Sequence, residues 1–367
     1  MYGFVIKQKA GGKAMECGNI MENNSKVHSM KSLILFIFFF SSLYCFAGGY
    51  EIKMATGKVI SSSFRGLSVV DDQVAWVSGT NGWVGKSTDG ARTWIFTQVK
   101  GFEKSDFRSL YAFDEMHAVI ANAGSPANIL FTEDGGISWK VVYTNNHVDA
   151  FFDGIDFWND KEGIIYGDPI NKKMLLLQTK DGGKSWKEFD GKGIELQEGE
   201  ASFAASGTTI RCMEGKSVYI ATGGVVSRLF VSNDKGNTWT SSILPILQGE
   251  KSRGVFSFAS SDYNWIIVGG DYKLDTLSQR HVFYSVNNGL IWQQPSSSTR
   301  GYRECVEFIS NTDVFCVGPG GIDFSKDAGR NWNAFSDEKK FHALKKARKG
   351  SLVVVAGGDG KLAVLND

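Results

Sequence analysis

The chain has few prolines, cysteines and histidines, and it has no surplus of either charge. Its 367 residues include only 5 Pro, 5 Cys and 5 His, with 40 Lys plus Arg against 39 Asp plus Glu. The balanced charge gives no reason to expect nucleic acid or an anionic membrane as a partner. The histidines are scattered, and the sequence contains no HExxH or CxxC motif. We therefore predict no metal site.

Glycine and aromatic residues are plentiful instead, with 43 Gly and 13% Phe, Trp and Tyr. This composition favours many short strands joined by tight turns over a helical bundle. A glycine-rich loop, GPGGID, occupies residues 318–323, but a strand is predicted after it where a dinucleotide-binding fold needs a helix. Because no nicotinamide or flavin motif is present, we expect no cofactor. Motifs alone leave a pyrroloquinoline-type cofactor open.

The longest apolar run, LILFIFFF at residues 33–40, is too short for the ~20 residues that a membrane-spanning helix needs. A lysine precedes the run and small residues follow it, which is the layout of a secretory signal peptide cleaved near Ala47. We therefore expect an exported protein, periplasmic or secreted, with no transmembrane segment in its mature form. The expected division is a disordered, non-native upstream extension at 1–29, a signal peptide at 30–47 and one domain at 48–367.

The cysteines indicate neither a clear lipid anchor nor a disulfide framework. Cys45 could carry a lipid anchor, but Tyr44 is bulky where a lipidation signal needs a small residue. The mature chain would keep Cys212, Cys305 and Cys316, which do not form a disulfide framework. We expect these three residues to be buried free thiols.

An eight-residue phrase that ends in tryptophan recurs six times. The spacing of the six tryptophans, 40 to 53 residues, is that of one four-stranded propeller blade. The copies are STDGARTW (87–94), TEDGGISW (132–139), TKDGGKSW (179–186), SNDKGNTW (232–239), SVNNGLIW (285–292) and SKDAGRNW (325–332).

The chemistry of the phrase predicts a hairpin turn. Ser or Thr ends a strand, Asp accepts hydrogen bonds from the backbone N–H groups of the turn, Gly adopts a positive φ, and Trp starts the next strand as a packing anchor. Ala91 stands where glycine is expected, and one copy has Asn in place of Asp. The acidic or amide position is held by Asp89, Asp134, Asp181, Asp234, Asn287 and Asp327.

The pattern [ST]-x-D-x-G-x-[ST]-W resembles the Asp box of BNR-repeat β-propellers. That group includes sialidases, sortilin-type receptors and the photosystem II stability/assembly-factor family. The overall resemblance is strongest to the assembly-factor type, and it implies a non-enzymatic scaffold or chaperone that binds a protein client. In these propellers the box is structural, so it indicates fold rather than function.

Counting strands before each box gives seven innermost strands for six boxes. They begin near residues 64, 107, 152, 206, 252, 302 and 341. The last blade has no fourth strand, whereas residues 50–60 have no blade of their own. We therefore predict an all-β, seven-bladed propeller that residues 50–60 close by adding the missing outer strand.

Aligning these starts places charged residues at one end of the innermost strands, around a channel mouth. The aligned positions are Arg65, Arg108, Asp153, Gly207, Arg253, Arg303 and His342. Loops on the same face add Asp168, Asp271 and Tyr272. Four arginines at one mouth suit a carboxylate or phosphate, so we expect an anionic small molecule, a glycan or a protein client to bind there. We expect the protein to be a monomer. The alternative is that carboxylates already pair with these arginines and brace the blades.

A second alternative is glycoside hydrolysis of the sialidase type. A tyrosine nucleophile activated by a glutamate, together with an aspartic acid, could be formed by Tyr302, Glu304 and Asp153, with Glu200 as a further carboxylate. The segment Phe64–Leu67 only half resembles the sialidase F/Y-R-I-P motif because it lacks the proline. Sialidases also have six blades, so this function ranks second.

Overall fold

The computed structural model describes residues 49–55, 60–213 and 215–366. The expected upstream extension, signal peptide, cleavage point and Cys45 anchor lie outside these residues. The described part forms 29 β-strands and two 3-10 helices, Thr80–Gly82 and Gly358–Gly360, and contains no α-helix. None of its helices is long and apolar enough to cross a membrane.

The strands form seven antiparallel sheets, each one blade of a β-propeller. From the innermost strand outwards, the blades are Phe64–Val69, Ala75–Gly79, Trp83–Ser87 and Ile95–Gln98 (blade 1); Asp106–Ala112, Ala118–Ala123, Ala127–Thr132 and Lys140–Asn145 (blade 2); Phe152–Phe157, Gly163–Ile170, Lys173–Thr179 and Lys187–Glu188 (blade 3); Ile210–Cys212, Val218–Ala221, Arg228–Ser232 and Thr240–Ile243 (blade 4); Arg253–Ser261, Asn264–Asp271 and Val282–Ser285 (blade 5); Cys305–Phe308, Val314–Gly318, Gly321–Ser325 and Asn333–Ser336 (blade 6); and Phe341–Lys346, Val353–Gly357, Leu362–Asn366 and Glu51–Met54 (blade 7). Two short strands, Glu200–Ala201 and Gly223–Gly224, extend the blade 5 sheet past its innermost strand.

The ring closes as predicted, with both ends of the chain in blade 7. Glu51 pairs with Asn366 and Met54 pairs with Ala363, in continuous antiparallel register. The hydroxyl of Tyr50 donates a hydrogen bond to Asp313 of blade 6 at 3.0 Å. The N-terminal strand therefore covers what would otherwise be an exposed sheet edge.

The hydrophobic core lies between neighbouring blades. Second strands such as Ala75–Gly79 are buried along their whole length, because each one has a blade on either side. One cluster joins Tyr111 of blade 2 to Phe152 and Trp186 of blade 3. Each such large apolar side chain contributes about 1.5–3 kcal/mol when fully buried, so blade-to-blade packing stabilises the ring.

The Asp box at Asp134 shows how the repeated turn is held. The hydroxyl of Thr132 donates to Asp134 Oδ1 at 2.9 Å, as does the Ser138 backbone N–H, also at 2.9 Å. The Ser138 hydroxyl donates to Oδ2 at 2.6 Å. These bonds, with those of Ser138 the strongest, lower the pKa of Asp134 to about 2. Trp186, Trp239 and Trp332 of other boxes donate their indole N–H to the turn itself.

The blade 5 box keeps only part of this network. Asn287 Oδ1 accepts from the Ser285 hydroxyl at 2.8 Å and from the Ile291 N–H at 2.9 Å. Ile291 stands where the other boxes have Ser, Thr or Asn. Because Asn replaces the acceptor and Ile replaces the donor, the second side-chain bond of the box is absent from this turn.

Candidate functional site

One residue of the innermost strand bulges at the same place in several blades. The pairing with the second strand skips Arg65 in blade 1, Arg108 in blade 2, Asp153 in blade 3 and His342 in blade 7. A bulge leaves one residue out of the ladder and turns its side chain in a new direction. These four residues therefore share one register at one end of the channel.

The other three blades place different residues in this register. In blade 5 the pairing skips Phe256. In blade 6 the Glu304 N–H donates to Val317 O while Cys305 pairs with the same valine, so Glu304 is the bulged residue. Position along the strand makes Thr208 the corresponding residue of blade 4.

The expectation that Arg253, Arg303 and Gly207 belong to the ring is therefore wrong. The residue that the sequence alignment placed in the ring lies three positions before the residue at the bulge position in blade 5. It lies one position before that residue in blades 4 and 6. Side chains alternate along a strand, so a shift of one residue sends the side chain to the opposite face.

Arg303 is a buried structural residue. Its side chain is 0% exposed, and its Nε donates to Asp323 Oδ2 at 2.8 Å, with Nη2 contacting the same oxygen. Its Nη1 donates to Tyr302 O at 2.8 Å. Arg253 pairs with Asp271 through Nε at 2.9 Å. These two arginines brace blades 5 and 6.

The remaining two arginines do line the mouth, but each has a carboxylate partner. Arg65 Nη1 donates to Glu304 Oε2 at 2.6 Å and to Ala205 O at 2.9 Å. Arg108 Nε donates to Asp106 Oδ2 at 2.7 Å. Uncompensated repulsion among arginines, which would have favoured a bound anion, is therefore absent from this cluster.

Glu304 connects three blades at the mouth. Besides Arg65, its Oε2 contacts His342 Nδ1 at 2.8 Å. Burial by itself would raise the pKa of Glu304, but the charge of Arg65 and the contact with His342 outweigh burial, and the pKa is lowered. Glu304 is therefore an ionised carboxylate held between two basic side chains.

A loop at residues 202–207 crosses the mouth ahead of blade 4. Ala205 and Ser206 are buried, and the Ser206 hydroxyl donates to Glu304 O at 2.9 Å. Gly207 has φ of 65°, which returns the chain to the innermost strand of blade 4. A cavity of about 440 Å³ lies beside this loop. Its lining residues are Arg65, Arg108, Phe151, Asp168, Ser202, Phe203, Ala204, Ala205, Phe256, Tyr272, Tyr302, Glu304 and Pro319.

Four aromatic rings form one wall of this mouth cavity. Phe203 stacks on Phe256 with ring centroids 3.8 Å apart. Tyr272 meets both rings edge-on, and Tyr302 meets Phe256 edge-on at 4.7 Å. Tyr272 remains 49% exposed. Sequence reasoning missed Phe203 and Phe256, because the loop has no counterpart in other blades and the bulge in blade 5 leaves no sequence signal.

The residues proposed for sialidase-type catalysis are not arranged for it. Burial and then the charge of Glu304 raise the pKa of Tyr302 well above its ordinary value, whereas a nucleophile needs a lowered pKa or an available base. Glu304 is occupied by Arg65 and His342. Glu200 is buried elsewhere, in an ion pair with Arg228 at 2.6 Å.

Two carboxyl groups lie near Arg108 on the blade 3 side of the mouth. Asp153 is 0% exposed, and neither of its carboxyl oxygens has a hydrogen-bond partner among the described residues. Burial and the neighbouring Asp168 raise the pKa of Asp153 well above its usual value, against the opposing effect of Arg108. Burial also raises the pKa of Asp168, which accepts one bond from Ser202 N at 3.3 Å.

Other parts of the described chain offer weaker sites. No group of three or more His, Cys, Asp or Glu residues in it could hold a metal ion, and its three cysteines are free thiols. A larger cavity, about 860 Å³, follows the closure seam between strand Glu51–Met54 and the blade 1 turn at Asp89–Arg92. It contains none of the buried polar atoms that lack partners among the described residues.

Comparisons with known proteins agree with the fold. The family model described as "Sortilin, neurotensin receptor 3" matches residues 174–319, less than half of the chain. A search of curated proteins finds no match.

Three solved propellers are similar over most of their length. YCF48 bound to a D1 peptide is 15% identical, with 87% of this chain and 95% of that chain covered and a TM-score of 0.61. YCF48 from Cyanidioschyzon merolae is 17% identical, with coverage of 86% and 98% and a TM-score of 0.61. The WD40 propeller domain of Doa1 is 14% identical, with coverage of 87% and 98% and a TM-score of 0.60. At these identities the likeness shows the fold alone: this chain is a seven-bladed β-propeller with Asp-box turns.

Proposed function

We propose that this chain is a non-enzymatic binding protein that recognises a segment of a protein partner at the channel mouth. The observation that carries the proposal is the aromatic wall of the mouth cavity. Aromatic side chains are enriched at the centres of protein interfaces, where they contribute much of the binding energy. A half-exposed Tyr272 beside stacked Phe203 and Phe256 offers such a surface next to polar side chains.

The solved structure of a YCF48 propeller with a D1 peptide supports this function by analogy, since it shows a propeller of the same fold bound to a peptide. In this chain, Arg65 and Arg108 serve mainly as structural ion pairs, so recognition of an anion is not the basis of the proposal. We also propose that the protein is a scaffold or assembly factor that acts as a monomer. The signal-peptide layout at residues 30–47 supports a location outside the cytoplasm.

A photo-crosslinking experiment tests the site. p-Benzoylphenylalanine replaces Tyr272 at the mouth or, as a control, Ile243, which is 69% exposed on the outer strand of blade 4. We expect a discrete adduct with a partner protein from position 272 and not from 243, and we expect Phe203→Ala to abolish it. Equal adducts from both positions, or an adduct that is insensitive to Phe203→Ala, would contradict the proposal.

A parallel assay addresses the catalytic alternative. Because Tyr302 is buried with a raised pKa and Glu304 is ion-paired, we expect no hydrolysis of aryl glycosides, including aryl sialosides. Turnover that disappears in Tyr302→Phe would overturn the non-enzymatic function.

A further inference from the structure

Asp153 is a buried acid without a partner. Removing a carboxyl group from water without hydrogen bonds is costly, and proteins rarely leave one in that condition. Its bulged position is the one from which Arg65, Arg108, Phe256 and Glu304 line the mouth cavity. Asp153 shares this register, but it is fully buried and is not itself among the residues that line the cavity.

Asp168 stands beside it and lines the cavity directly, together with Phe151 and Phe203. Only one bond to its carboxyl group is present, a long one from Ser202 N to Oδ1. Among the described residues, the pair Asp153 and Asp168, which we call the acidic pocket, thus has no donor to either oxygen of Asp153 and one donor, Ser202 N, to Asp168.

The positive charges nearby are already occupied. Arg65 pairs with Glu304 and Arg108 pairs with Asp106. Within the described residues, neither Asp153 nor Asp168 forms an ion pair with a basic side chain within 4.0 Å. The mouth therefore has carboxyl groups in excess of available cations, which is the opposite of the charge balance expected from the sequence.

We propose that the acidic pocket binds the primary ammonium group of a lysine side chain from the protein partner. The proposal rests on the proposed function and specifies the chemistry of the partner. A lysine ammonium carries three N–H donors, enough to bind Asp168 at the cavity wall and to supply the missing partner of the buried Asp153. The flexible methylene stem of lysine would pack against Phe151 and Phe203, as such stems do on apolar surfaces while the charged end meets polar groups.

The direct test uses blocked lysine, Nα-acetyl-lysine-N-methylamide, as the probe in an NMR titration of the full chain. Its Nε-acetylated form, which lacks the charge, is the ligand control. We expect Asp153→Asn and Asp168→Asn each to weaken binding of the charged probe at least tenfold. The matched protein control is Asp149→Asn, which removes an exposed carboxylate just before the same innermost strand and should leave binding unchanged.

The pH dependence supplies a second readout. Burial and the neighbouring Asp168 raise the pKa of Asp153 against the opposing effect of Arg108, and Tyr166 also lies nearby. A bound ammonium group stabilises the ionised carboxylate, so binding is coupled to proton release wherever Asp153 is protonated in the free protein. Affinity should then rise with pH by up to about tenfold per unit until Asp153 ionises in the free protein, while lysine stays charged below about pH 10. Asp153→Asn should flatten this profile.

Three outcomes would overturn the inference: equal binding of the charged and acetylated probes, unchanged affinity in both Asn variants, or an affinity that is independent of pH. If Asp153→Asn fails to fold, Asp168→Asn and the pH profile still decide. Peptide binding at the mouth without any lysine preference would refute this inference and leave the proposed function standing. Lysine binding at the acidic pocket without a partner adduct at position 272 would support this inference and count against the proposed function.

Discussion

Replacing Arg303 by methionine separates a structural arginine from a ligand-binding one. Met has a similar volume and no charge, so the change removes the bonds of the guanidinium group without opening a large cavity. Asp323, which is 1% exposed, would keep only its bonds from Arg300 at 2.7 and 3.0 Å. The carbonyl of Tyr302 would also lose its donor.

Removing one partner of a buried ion pair costs about 3–5 kcal/mol when the other charge is left uncompensated, and this is an upper limit here because Arg300 still pairs with Asp323. An unfolding entropy of about 2.1 cal/mol/K per residue, taken over roughly 320 residues, is about 0.7 kcal/mol/K. We therefore expect Arg303→Met to lower Tm measurably, by at most about 4–7 °C, in a thermal unfolding experiment followed by circular dichroism. Arg253→Met is the comparison: Asp271 is buried, but Arg253 is partly exposed, so water can replace part of the lost contact and we expect a smaller loss of stability than in Arg303→Met.

Unchanged stability in Arg303→Met would refute this reasoning. If the same variant also bound a partner or an anion more weakly, the arginine would be part of a recognition site after all. A loss of stability as large in Arg253→Met would instead show that partial exposure does not distinguish the two pairs.

Three further predictions concern the ring and its turns. Deleting residues 50–54 should lower the urea midpoint sharply, because it removes a paired strand whose hydrogen bonds contribute roughly 0.5–1.5 kcal/mol each; an unchanged midpoint would contradict closure by this strand. Asp134 has a pKa lowered to about 2, so its contribution to stability is complete above its ordinary pKa and is lost as pH falls towards 2; Asp134→Asn should flatten this part of the acid-unfolding curve, and an identical curve would count against the box network. Asn287→Asp combined with Ile291→Thr should restore the missing side-chain bond and stabilise the protein by about 0.5–1.5 kcal/mol, whereas destabilisation would show that the blade 5 turn differs from the others.

The fold could be read from the sequence because the Asp box is a local signal. Residues such as Thr132 and Asp134 bond within one turn, so the phrase identifies the turn wherever it occurs. Counting strands predicts that the N-terminal segment supplies the missing fourth strand of blade 7, and the pairing of Glu51 with Asn366 confirms this prediction.

The mouth could be read only in part, because its geometry depends on contacts between distant segments. Arg65 and Arg108 each follow a phenylalanine and each lie at the bulge of an innermost strand. Arg303 resembles them in sequence but lies one residue before the bulge position of its strand. The stacking of Phe203 on Phe256 joins a loop to another blade, and no repeat predicts it. Asp153 was identified by its position, but its lack of a partner is visible only in three dimensions.

The most direct test of the account is selection of binding peptides from a random peptide-display library by the wild-type protein. Each selected sequence is then measured against a mouth variant, Tyr272→Ala, and a rim variant, Ile243→Ser, both checked for wild-type circular dichroism. We expect the selected peptides to bind wild type and Ile243→Ser equally and to bind Tyr272→Ala at least tenfold more weakly. Selected peptides that bind Tyr272→Ala as tightly as wild type would contradict recognition at the channel mouth.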